Sequence, residues 1–172
     1  MRRLLVVVDM QKDFIDGSLG TAEAREIVPA VVKRIQEYQA AKDTVVFTLD
    51  THQKNYLETQ EGRNLPVVHC VKGTDGWMLD KRLQGFEGKR FEKPSFGSLK
   101  LAHWAAKEGF ADIRLIGLCT DICVISNAML LKAALPEALI TVDAGCCAGV
   151  TPQSHANALK AMEMCQIQIW RE

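Results

Sequence analysis

Gly117-Leu118-Cys119-Thr120-Asp121-Ile122-Cys123-Val124 closes an apolar run at residues 113–118 and precedes a helical pattern at residues 125–135. A short β-branched run that breaks at a tight turn and reopens at helical spacing reads as strand, turn and helix. In a parallel sheet such a turn lies on the carboxyl edge, where ligands bind. Cys123 then stands near the positive end of a helix dipole, where a thiol ionises more easily. Its placement is that of a nucleophile. The backbone N–H groups of Cys119 and Cys123, on the same turn, are placed to hold a developing oxyanion.

Working outward, residues 4–9, 44–50 and 139–143 repeat the short, continuously apolar pattern of strands covered on both faces. Residues 166–170 read as a last strand, and residues 89–93 as a strand by their place in the alternation. Between them, Ile27, Val28, Val31, Val32, Ile35 and Tyr38 form one helical face, and Pro29 places that helix's first turn nearby. Leu99, Leu101, Ala102, Ala105 and Ala106 form another, with Ser98 as N-cap. Thr151-Pro152 opens a final helix that buries Ala158, Leu159 and Met162. Strand and helix alternate throughout, which predicts a three-layer α/β/α domain with a parallel sheet and right-handed crossovers, spanning residues 1–172 as a single unit. The long irregular stretch at residues 51–88 reads as a functional loop, with a short helix near residues 78–83.

Composition narrows the class. Apolar residues make up 48% and charged residues 24% of 172, and 21 basic side chains balance 21 acidic ones. No basic stripe points to nucleic acid. The basic start Met1-Arg2-Arg3 leads into an apolar run that ends at Asp9, too short for the core of a signal peptide. No segment approaches a membrane span. Six cysteines without regular short-spaced pairing predict reduced thiols and a cytoplasmic protein rather than a disulfide scaffold.

Three reactive groups fall at strand ends: Asp9 after the first, Lys93 after the third and Cys123 after the fourth. In a doubly wound sheet ordered 3-2-1-4-5-6, strands 1 and 4 flank the switch point, so Asp9 and Cys123 face each other there. Lys93 starts about 10 Å away at the backbone, two strand spacings, and its side chain must lean inward. The ammonium and the helix dipole would lower the thiol's pKa. The carboxylate would take the thiol's proton and return one to a leaving group. A second set, Asp50, His52 and His69, has the two-His-one-carboxylate composition that binds zinc, iron or manganese.

These blocks resemble the isochorismatase-like cysteine hydrolases, and among them the nicotinamidase branch. The matching pieces are Val8-Asp9-Met10-Gln11-Lys12-Asp13-Phe14, Thr48-Leu49-Asp50-Thr51-His52, His69-Cys70-Val71-Lys72-Gly73-Thr74, Lys93-Pro94-Ser95-Phe96, the Cys123 turn, and Val142-Asp143-Ala144 with His155. The resemblance implies a six-stranded parallel sheet and a catalytic triad at Asp9, Lys93 and Cys123. It also implies a cis peptide between Leu118 and Cys119, next to the oxyanion hole. A divalent metal, zinc first, would sit at Asp50, His52 and His69 and bind a pyridine nitrogen, with Phe14 lining the ring pocket and no organic cofactor. The reaction implied is hydrolysis of nicotinamide to nicotinate and ammonia through a thioester, in NAD salvage, by a homo-oligomer acting on a small amide. One feature departs from the branch. Its members commonly carry a Trp shortly before the second metal His, whereas this chain reads Leu65-Pro66-Val67-Val68-His69, with Trp77 beyond.

The rival within the family is a hydrolase of ureido or N-carbamoyl amides, favoured by that missing Trp. A rival of another class is a thiol redox or binding module using Cys119 and Cys123, which leaves Asp9 and Lys93 without a role.

Overall fold

Parallel strands buried on both faces need apolar side chains pointing both ways. The first strand supplies them: Leu4, Val6 and Val8 enter one layer, Leu5 and Val7 the other, all fully buried. The computed structural model describes residues 2–171; residues 1 and 172 of the expected domain lie outside them. In chain order the elements are β1 (Arg3–Val8), α1 (Lys12–Ile15), α2 (Ala22–Ala40), β2 (Thr44–Asp50), α3 (Gln60–Asn64), β3 (Lys89–Lys93), α4 (Leu99–Glu108), β4 (Asp112–Leu118), α5 (Ile125–Ala134), β5 (Leu139–Ala148), α6 (Pro152–Met164) and β6 (Gln168–Trp170).

The strands form one six-stranded sheet in the order β3-β2-β1-β4-β5-β6, and every pairing is parallel. This is the expected doubly wound order, with the switch point between β1 and β4. Leu101 and Ala105 of α4, Ala128 and Leu131 of α5, and Leu159 and Met162 of α6 pack on the face of Val6. Val28, Val31 and Ile35 of α2 pack on the face of Val7. Local caps match the sequence expectations. Ser98 Oγ accepts from the Leu101 N–H at 3.1 Å, and Thr151 and Ser154 form a reciprocal capping box.

Four expectations change. Pro29 lies well inside α2, whose N-cap is Thr21; the helix tolerates the lost hydrogen bond because Val28, Val31 and Ile35 anchor it from both sides of the proline. No helix forms at residues 78–83. Leu79 and Leu83 are buried at helical spacing, but the Asp80 carboxylate accepts the Arg82 N–H at 2.9 Å and folds the segment as a turn. Short helical turns fall instead at Tyr56–Glu58, Gln60–Asn64 and Asp75–Trp77. β5 runs five residues beyond its apolar pattern because its register shifts: Leu115 pairs with Val142, but Gly117 pairs with Cys147. The last strand begins only at Gln168, since Gln166 takes φ +62° as the chain leaves α6.

Gly117 sets the approach of β4 to β1. Its φ is +115°, and a Cβ there would lie 2.2 Å from the Val8 carbonyl oxygen. Gly117→Ala is therefore expected to cost at least about 2 kcal/mol, combining left-handed strain with a backbone clash. Urea unfolding of the two proteins measures it, and an unchanged midpoint would contradict the packing described.

Candidate active site

The sheet brings the three strand-end groups together. Asp9 follows β1 with φ +47°. Its N–H donates to the Thr48 carbonyl, and the Thr48 hydroxyl donates to Asp9 Oδ1 at 2.6 Å. Lys93 ends β3 and is 1% exposed. Its Nζ reaches past β2 to Asp9 Oδ2 at 2.6 Å and to Cys123 Sγ at 3.5 Å, and donates to the Ser95 carbonyl at 3.1 Å. The side chain leans inward as the strand order requires. Cys123 sits in a π-helical turn, Thr120–Val124, that leads into α5. The Leu118–Cys119 peptide is cis, as the resemblance implied. The turn is braced from outside: Asn127 Nδ2 donates to the Cys123 carbonyl at 2.8 Å, and Thr120 Oγ1 lies 2.7 Å from His155 Nδ1.

Electrostatics here depart from the expectation of a thiol lowered by Lys93 and the helix dipole. Burial and the Asp9 carboxylate hold the Cys123 thiol well above its usual range, and Lys93 only partly opposes them. Burial also raises the Asp9 carboxyl above the usual carboxylate range, against the pull of Lys93. Burial alone would lower Lys93, but Asp9, Cys123 and Asp50 outweigh it and hold the ammonium charged. A raised pKa binds the proton more tightly to the sulfur. Asp9, made more basic by burial, is the group positioned to receive it.

The second cluster also assembles. His52 Nε2 lies 2.9 Å and His69 Nε2 3.4 Å from Asp50 Oδ2. His69 Nδ1 donates to the Val67 carbonyl at 2.7 Å, which fixes the ring with Nε2 facing the cluster. A fourth group, Glu61 on α3, places Oε1 3.6 Å from His52 Nε2 and 3.8 Å from His69 Nε2. One potential ligand atom from each of the four lies within 4.8 Å of the others. Ligands about 2.0–2.2 Å from a tetrahedral ion stand about 3.4 Å apart, so the set fits a divalent metal. The buried Asp50 Oδ1 has no hydrogen-bond donor among the described residues and faces Lys93 Nζ at 3.6 Å. Burial would raise the Asp50 carboxyl, but hydrogen bonds from His52 and His69, with Lys93 behind them, hold it below the usual range. Glu61 was missed in the sequence, where nothing in its spacing separates it from Glu58.

Both clusters open on one cavity of about 220 Å³, whose lining includes Phe14, Asp50, Glu61, His69, Cys119 and Cys123. The Phe14 ring is 5.5 Å from the His69 ring. Trp77 does not line the cavity. Its indole N–H is held by Thr51 Oγ1 at 2.9 Å, and the wall is completed by Leu65, Phe96 and Ile122. Among the described residues all six cysteines are free, and no helix is long and apolar enough to cross a membrane.

The switch point of the doubly wound sheet gathers a buried thiol, an ammonium and a carboxylate, and the chain's relatives make it an amidohydrolase. The chain belongs to the isochorismatase family, whose domain matches residues 3–170. It is similar to the nicotinamidase/pyrazinamidase of Mycobacterium tuberculosis, 26% identical over 185 aligned positions that cover 97% of each chain. The crystal structure of the nicotinamidase/pyrazinamidase from Bacillus subtilis superposes with a TM-score of 0.85 at 26% identity, covering 99% of this chain and 100% of that one. N-carbamoylsarcosine amidase from Thermoplasma acidophilum has a TM-score of 0.80 at 26% identity, covering 99% and 96%.

Proposed function

We propose that the chain, acting as a single domain, hydrolyses nicotinamide to nicotinate and ammonia, with Asp9, Lys93 and Cys123 as its catalytic residues. The observation that carries this reading is the buried Lys93 Nζ within 2.6 Å of Asp9 Oδ2 and 3.5 Å of Cys123 Sγ, in a protein whose relatives include nicotinamidases. A carboxylate 2.6 Å from the ammonium that meets the sulfur is placed to move a proton between thiol and leaving group, as acyl transfer requires.

The steps follow from the groups. Asp9 takes the Cys123 proton as the sulfur attacks the carboxamide carbon. The backbone N–H groups of Cys119 and Cys123 hold the oxyanion. Asp9 returns the proton to the departing nitrogen, and ammonia leaves a thioester. Asp9 then draws a proton from water as it attacks the thioester, and passes that proton to the departing Cys123 sulfur, so that the acid and the thiol are freed and Asp9 is again a carboxylate. Lys93 stays protonated throughout and offsets the negative charge that moves between oxygen and sulfur. Asp50, His52, Glu61 and His69 would hold a divalent metal, with zinc suited to that donor set, and the bound ion would supply a Lewis-acidic position for a ring nitrogen. Phe14 would pack on the ring.

Purified protein assayed for ammonia release on a panel of nicotinamide and N-carbamoyl amides tests the substrate. Nicotinamide is expected to lead. Preference for N-carbamoyl amides would favour the second reading, which the aliphatic Leu65 and Ile122 wall supports. Chelation should lower nicotinamide turnover about 10- to 100-fold, with recovery on zinc addition. A metal-free native protein of full activity would remove the four ligands from the site.

A further inference from the structure

The segment that follows β1 carries two side chains that the proposed chemistry does not use. Gln11 is fully buried. Its Oε1 accepts the Asp50 N–H at 2.7 Å, and its Nε2 donates to the Asp50 carbonyl at 2.8 Å and to the Trp77 carbonyl at 2.9 Å. Only one orientation of the amide satisfies all three partners, because one needs an acceptor and two need donors. Gln11 thus pairs with the Asp50 peptide as a neighbouring strand would, on the residue whose carboxylate lies between Lys93 and the two histidines.

Asp13 makes a parallel contact. Its Oδ2 accepts the Cys70 N–H at 2.8 Å. Cys70 follows His69 directly and takes φ +46°. The Cys70 carbonyl in turn accepts the His52 N–H at 2.9 Å, and the His52 carbonyl accepts the Lys72 N–H at 2.9 Å. Gly76 packs so closely that a Cβ there would lie 2.2 Å from Asp13 Oδ2, which confines the carboxylate to this position. One residue, Cys70, held by Asp13 at its N–H and by His52 at its carbonyl, links the stretches that carry both histidines.

We infer that Gln11 and Asp13 are positioning residues for the metal cluster: they hold the backbones of Asp50 and of the residue after His69 so that the four ligand atoms converge. The inference rests on the metal reading above. A ligand displaced by a fraction of an ångström loses metal affinity even when its identity is kept, and outer partners of metal ligands typically carry 10- to 100-fold of that affinity.

The test uses the full chain, stripped and reloaded. Zinc affinity is read by chelator competition and cluster geometry by the absorption bands of the cobalt-substituted protein, with the melting temperature of the metal-free form as the measure of folding. Asp13→Ala and Gln11→Met are each expected to weaken zinc binding about 10- to 100-fold and to alter the cobalt bands. Asp13→Asn, which keeps an acceptor for the Cys70 N–H, is expected to stay within about 3-fold of wild type. A protein with a general packing defect would lose melting temperature without this rescue by asparagine. Should Gln11→Met fail to fold, Gln11→Glu keeps the acceptor for the Asp50 N–H, loses both donors, and is expected to shift the cobalt bands. Folded Asp13→Ala and Gln11 variants with wild-type zinc affinity and unchanged bands would overturn the inference while leaving the metal reading intact. A wild-type protein that takes up no zinc or cobalt would end the metal reading and this inference with it.

Discussion

Replacing Cys123 with alanine is expected to lower turnover of nicotinamide by at least about 10⁴-fold, because the acyl bond forms on the sulfur that lies 3.5 Å from Lys93 Nζ. The fold should survive. The substitution removes one sulfur from a side chain that is 5% exposed, a loss of about 1 kcal/mol. Lys93 keeps its ion pair with Asp9 and its bond to the Ser95 carbonyl, so no charge is stranded. Ammonia release and urea unfolding, run on the same preparation, separate chemistry from folding. Turnover by a folded Cys123→Ala protein would remove the thiol from the mechanism.

Lys93→Met should lose both activity and stability. Turnover is expected to drop about 10³-fold, since the negative charge shared between Asp9 and the sulfur loses its fixed counter-charge. Stability at neutral pH should drop about 3–5 kcal/mol, the cost of breaking a buried pair from one side. Asp9 and Asp50, both nearly inaccessible, would share one low-dielectric site without an ammonium. The pH dependence has a definite sign. The folded pKa of Asp9 is already above the unfolded value of about 3.9. Stability from its neutral form is therefore fully present below that value and is lost as pH rises through the folded pKa. Removing Lys93, which pulls that pKa down, raises it further, so the variant's deficit should shrink as pH falls from neutrality into the acid range. Asp50 runs the other way. Its depressed pKa stabilises the fold above about pH 4, and that contribution is lost in acid. Urea midpoints of both proteins across this range check the sign. A deficit that stays constant or grows toward acid pH would contradict the charge arrangement.

Much of the fold was legible because its signals are local. The bounds of β2 and β3 fall where the sequence places them. Expectations failed where a distant partner decided the outcome. β5 continues through Gly145, Cys146 and Cys147, small residues without strand periodicity, because β4 shifts register to meet them. Leu79 and Leu83 keep helical spacing, yet Asp80 turns the chain between them.

The site divides in the same way. Asp50, His52 and His69 were readable from their types and spacing, and they do converge. Glu61 was not, since its approach depends on how α3 folds over the cavity. Whether Trp77 replaces the missing wall was open in the sequence; in the fold its indole is held by Thr51 and it does not line the cavity.

The sequence by itself determined the order of strands and helices, the turn that carries Cys123, and which acid and amine stand at the ends of neighbouring strands. Periodicity, capping and turn chemistry act over a few residues, and strand order follows from them. Only the tertiary structure decided that burial raises the thiol's pKa, that Glu61 approaches the two histidines, and that Gln11 and Asp13 bond the backbones beside them. Those outcomes depend on burial and on distances of a few ångströms between residues tens of positions apart, quantities that no local pattern contains.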